Sequence, residues 1–129
     1  MDWKKSPEWL VEAFDEIVPD DDRRVERRKM FGYPCAFASD NMFIGLHQDH
    51  LVMRLPEGDR KRFLQEYETE IFQPFPGRIM REYVVVPHDL IRQPEALKPW
   101  IRRSLEYAAS LKPKAKKAGG RKRAAAARS

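Results

Sequence analysis

Hydrophobic positions change rhythm along this chain, from helical spacing to near-alternation and back. Trp9, Leu10, Ala13, Phe14, Ile17 and Val18 recur as one helical stripe. Ser6 is its expected cap and Pro7 its first helical residue, and Pro19 with Asp20-Asp21-Asp22 ends it. Arg23 to Lys29 then fits either a short helix or an edge strand. From Lys29-Met30-Phe31-Gly32 onward the apolar runs are short and cut by turn residues, which predicts strands.

The pairing of those strands follows from the residues. Gln48-Asp49 as a two-residue turn sets His47 opposite His50, Leu46 opposite Leu51, Ile44 opposite Met53 and Met42 opposite Leu55. A turn at Asp40-Asn41 sets Phe37 against Ile44 and Cys35 against Leu46. The apolar partners then share one face, because side chains alternate along a strand. The opposite face carries Ala36, Ala38, Phe43, Gly45, Val52 and Arg54, too small and apolar for open solvent. It calls for cover from the chain itself or from a second subunit.

Pro56-Glu57-Gly58-Asp59 ends this meander. Asp59 is the expected cap of a second helix with Phe63, Leu64 and Tyr67 on its apolar side and an Arg62–Glu66 pair outside. Gln73-Pro74-Phe75-Pro76-Gly77 is a rigid connection. Ile79 to Val86 reads as a further strand, and Pro94 to Leu111 as a last helix burying Leu97, Trp100, Ile101, Leu105 and Ala108. The predicted fold class is α+β: two layers, an antiparallel sheet of a three-strand meander plus one or two strands, packed by helices.

Composition divides the chain. Of 25 basic residues eight lie in 112–129, a segment with no acid, leaving 17 against all 20 acids in 1–111. The +5 overall charge therefore describes the end of the chain, and the rest carries −3. Residues 1–111 read as one domain and 112–129 as a disordered basic tail. Without an apolar run of membrane-spanning length or an apolar leader, the expectation is a cytoplasmic protein with no membrane contact.

At this point the residues resemble a family. Lys29-Met30-Phe31-Gly32, the strand around Met42-Phe43, Leu51-Val52-Met53-Arg54-Leu55 and Tyr83-Val84-Val85-Val86-Pro87 are similar to the TfoX (Sxy) N-terminal domain family. So is the closing helix with Pro94-Glu95-Ala96-Leu97 and Trp100-Ile101-Arg102-Arg103. The resemblance covers roughly residues 8–111. It implies a regulatory or accessory role without catalysis, since the family's best-known members regulate bacterial competence together with a transcription factor. Those members have a second domain where this chain has its basic segment, and Tyr33-Pro34 follows Gly32 where many members have another glycine.

Candidate chemistry is sparse. His47 and His50 flank a turn with Asp49 between them, short of the four ligands of structural zinc. Cys35 is expected on the core side as an inert thiol, and Asp89, beside His88, as a first-turn helix acid. Asp20-Asp21-Asp22 lacks a cation-loop spacing, and the glycines form no phosphate loop. No catalytic residue, metal or cofactor is expected. The basic residues Lys112, Lys114, Lys116, Lys117, Arg121, Lys122, Arg123 and Arg128 are the candidate nucleic-acid contacts, acting on charge alone because no aromatic accompanies them. A solubilising tail is the competing account. Arg23, Arg24, Arg27, Arg28 and Lys29 are candidates to extend the basic surface. The expected partners are nucleic acid without sequence preference, a transcription factor or other protein, and a second copy of the chain. The alternative function is a small-ligand-binding or enzymatic domain with a pocket over Ala36, Ala38, Gly45 and Phe43.

Overall fold

A computed structural model describes residues 5–111. The eight candidate cations of 112–129 lie outside the described residues. In chain order the elements are α1 (Glu8–Ile17), β1 (Glu26–Met30), β2 (Tyr33–Ala38), β3 (Asn41–His47), β4 (His50–Arg54), α2 (Glu57–Glu66), β5 (Tyr83–Val86), α3 (His88–Ile91) and α4 (Pro94–Ser110). The strands form one antiparallel sheet in sequential order, β1-β2-β3-β4-β5, and the helices pack on it in a two-layer α+β arrangement. For β1 to β4 sequential order follows from the two-residue turns, each of which can return only to the neighbouring edge, and β5 pairs with β4 after the longer connection that holds α2.

Of Arg23 to Lys29, Glu26 onward is strand, and Arg23 and Arg24 lie in a turn before it. β1 is an edge strand, exposed at every position. It joins β2 through Phe31-Gly32, whose φ values of 55° and 85° give the twist that a two-residue hairpin needs. The β3–β4 hairpin keeps the expected register: His47 opposes His50, Leu46 opposes Leu51 and Ile44 opposes Met53. The ladder stops there, so Met42 does not reach Leu55.

The β2–β3 pairing is shifted from the expected one. The turn is Ser39-Asp40, with φ of 52° and 64°, and it pairs Ala38 with Asn41 and Phe37 with Met42. A bulge follows, after which Ala36 opposes Ile44 and Cys35 opposes Gly45. Phe43 is the residue left without a partner on β2. Its carbonyl accepts a 2.8 Å hydrogen bond from the buried Ser104 hydroxyl of α4, which ties that helix to the sheet at the bulge.

This shift reassigns the faces. Ala36, Ala38 and Phe43 join Ile44, Leu46, Leu51, Met53, Val84 and Val86 in the core under the helices, whereas Cys35 and Phe37 are buried on the other side with Val52. Leu10 and Phe14 of α1 and Leu97, Ile101, Leu105 and Ala108 of α4 close the first layer. α2 docks through Phe63 and Tyr67 against Trp100, whose indole N–H donates to the Tyr67 hydroxyl at 3.2 Å.

Other expectations need local correction. Pro7 is the N-cap of α1 rather than its first helical residue, and Ser6 spends its hydroxyl on the Gln48 carbonyl at 2.6 Å. Asp59 sits in the first turn of α2 and pairs with Arg62 and Arg103, so Arg62 does not pair with Glu66. The late strand begins at Tyr83, not Ile79. Residues 79–82 turn instead, with the Tyr83 amide donating to the Met80 carbonyl. The segment before this turn bridges briefly to β5 at Ile71 and Val84, and Pro74 and Pro76, which lack an amide donor, follow that bridge. α4 and the first-turn acid Asp89 of α3 stand as expected.

Candidate functional site

Three surfaces bear on function: the cations around β1, the second face of the sheet, and the exposed apolar residues at the turns. The cations are largely committed inside the domain. Arg24 binds Asp22 and Glu106, each at 2.8 Å, and Arg102 reaches the same Asp22 carboxylate at 3.4 Å. The Arg24 guanidinium holds the Asp22 carboxyl down at about 2. Arg27 binds Asp15 at 2.6 Å and Asp20 at 2.8 Å, tying β1 to the end of α1. Arg28 binds Glu26 and Asp40 and lies 4.3 Å over the Phe37 ring. Of the five candidate cations, Arg23 and Lys29 make no ion pair among the described residues.

On the second face, Cys35 is buried, and desolvation pushes its thiol up, away from the reactive thiolate. Among the described residues the expected small-residue hollow is filled at Gly45. A Cβ on Gly45 would come within 3.1 Å of the Cys35 Cβ and 3.3 Å of the Met42 sulfur, so the space over this glycine is taken. The Tyr83 hydroxyl crosses β4 to donate to the Met42 carbonyl at 2.8 Å. At the hairpin end of the same face the His47 ring lies 5.4 Å from Tyr33 and 5.3 Å from Phe72. Phe72 also meets His50 at 6.4 Å. The His47 and His50 side chains share a face as expected, and Asp49 approaches His50 at 3.7 Å. Among the described residues no group of three His, Cys, Asp or Glu side chains could hold a metal ion. His88 is engaged elsewhere, its Nε2 2.7 Å from the Asp49 carbonyl and its ring edge-on to Trp9.

Sequence reasoning missed the apolar tips. Phe31 is 81% exposed although it occupies a left-handed φ, and Met30, Phe75 and Ile79 are also exposed. Phe75 and Ile79 flank the Pro76-Gly77 turn, closed by the Arg78 amide on the Phe75 carbonyl. Their signal was present in the sequence: large apolar residues beside Gly and Pro, where no strand or helix can bury them. An open cleft of about 550 Å³ lies elsewhere, between the end of α1 and α4, with Ile17, Val18 and Ile101 inside and Asp20, Glu95 and Lys98 around it. No helix among the described residues is long and apolar enough to cross a membrane.

Comparison with protein families matches residues 20–108 to the family described as the TfoX N-terminal domain. The match begins in the acidic run after α1 and ends three residues before the last described residue, so it takes in the whole sheet and the network around Asp22. No curated protein matches the chain.

Proposed function

The chain belongs to the TfoX N-terminal domain family, and from that membership we propose a non-enzymatic regulatory or accessory module that works by protein contact. Its basic segment 112–129 adds affinity for nucleic acid without reading sequence. The observation that carries this division of labour is the fate of the arginines around β1. Arg24, Arg27 and Arg28 each satisfy two carboxylates of the same domain, so these charges are offset before any phosphate arrives. The eight cations of 112–129 have no acid in their own segment. Phosphate attraction through counterion release therefore belongs to that segment. Protein contact is favoured for the domain because Phe31, Phe75 and Ile79 present large apolar side chains at turn tips, where a partner's pocket can reach them.

The test is duplex-DNA binding by fluorescence anisotropy across a salt series, on the full chain and on a full chain whose eight tail cations are replaced by glutamine. The full chain is expected to bind with a steep loss of affinity as salt rises, and the replaced chain to lose most binding at every salt. Equal binding by the two proteins would move nucleic-acid contact onto the folded domain and overturn the reading.

A further inference from the structure

His47 holds an unusual place for a residue beside a hairpin turn. Its ring is wedged between Tyr33 of β2 and Phe72 of the segment that follows α2. Its Nδ1 is buried and, among the described residues, has no hydrogen-bond partner. A buried, unpaired polar atom costs free energy and needs a reason. Phe72 anchors more than itself. Its amide donates to the Tyr83 carbonyl at 2.9 Å, and its carbonyl accepts from the Met80 amide at 3.0 Å, so it closes the base of the loop that displays Phe75 and Ile79.

We propose that His47 is a proton-operated latch: its neutral ring seats Phe72 on the second face of the sheet, and protonation releases Phe72 with the loop it anchors. The physical cause lies in what surrounds the ring. A protonated imidazole carries an N–H at both nitrogens, and the buried Nδ1 position offers that second donor no acceptor. Among the described residues the aromatic groups packed around the ring are Tyr33 and Phe72, with His50 next to it on β4, and His50 has the Asp49 carboxylate at 3.7 Å. Burial, reinforced by His50, depresses the His47 pKa below the ordinary histidine value. A base whose pKa falls on folding binds its proton more weakly in the closed form. The latch is therefore fully closed above the ordinary value of about 6.5 and weakens as pH falls below it, until the depressed folded-state value is passed. Release adds Phe72 to the exposed apolar surface of the loop.

Amide hydrogen exchange on the full chain tests this. Once corrected for intrinsic rate, protection of the Phe72 and Met80 amides is expected to fall about tenfold between about pH 7.5 and about pH 5.5, since one proton is linked to release. In His47→Phe, which keeps an aromatic ring and removes the titration, the same amides should show little pH dependence. Protection that does not change with pH in the unsubstituted protein, or falls equally in the variant, overturns the latch. Should the variant fail to fold, the side-chain NMR titration of His47 in the unsubstituted protein decides: a depressed midpoint supports the latch and an ordinary or raised one refutes it.

Discussion

On one face of the sheet Ala36, Ile44, Leu46, Leu51 and Met53 meet two helices. On the other, Cys35, Phe37 and Val52 are just as buried without lying in that core. Their cover comes from an arginine over Phe37, a tyrosine hydroxyl reaching across β4 and Phe72 against two histidines. The helix face is closed by apolar area, which responds little to pH or salt. The second face is closed by cationic, phenolic and imidazole groups, whose contributions depend on both. The two sides of one sheet should therefore fail under different conditions.

Three substitutions sharpen that contrast. Leu105→Ala in α4 removes a fully buried side chain from the helix face, and an expected loss of about 3 kcal/mol is to be read from denaturant unfolding at neutral pH. Ser104→Ala removes the buried hydroxyl that α4 donates to the Phe43 carbonyl at the bulge. A loss of about 1–2 kcal/mol is expected, and a cost near zero would mean that the bulge closes without α4. Arg28→Met keeps apolar cover over Phe37 while removing the two surface ion pairs, so its cost should stay under about 1 kcal/mol. A larger loss would promote β1 from a covering strand to a structural one.

Acid should separate the two regions as well. Asp22 is held at about 2 by Arg24, below its ordinary 3.8. Its ion pair is fully present above the ordinary value and is lost only as pH falls through about 2. His47 acts in a higher window, because its lowered pKa costs stability already below the ordinary histidine value. A pH titration of unfolding should accordingly show an early decline that Asp22→Asn leaves intact and His47→Phe removes.

How far the sequence discloses all this depends on whether a turn residue or a change of residue type fixes the pairing. The β3–β4 register was legible because Gln48-Asp49 is a two-residue turn between two apolar runs, which sets the pairing outward from His47 and His50. The β2–β3 register was not. Cys35, Ala36, Phe37 and Ala38 are all buried, so both faces are apolar and a shift in pairing changes no visible pattern. The bulge at Phe43 could not be seen either, since the Ser104 hydroxyl that meets its carbonyl is distant in sequence. The cations around β1 were plain from composition, but their partner Glu106 is 82 residues from Arg24. The cover over His47 was not legible because it comes from Phe72, in the long connection between α2 and β5. The apolar stripes of α1 and α4 were legible because each helix buries only one side.

The contrast between the faces is tested most directly by the cost of truncating one residue on each, measured by denaturant unfolding of the full chain at about pH 7.5 and again at about pH 5.5. Leu105→Ala should cost the same at both, and Phe72→Ala should cost clearly less at the lower pH, where protonated His47 has already loosened its seat. Equal costs for Phe72→Ala at the two pH values would contradict the account, and so would a cost for Leu105→Ala that shrinks in parallel.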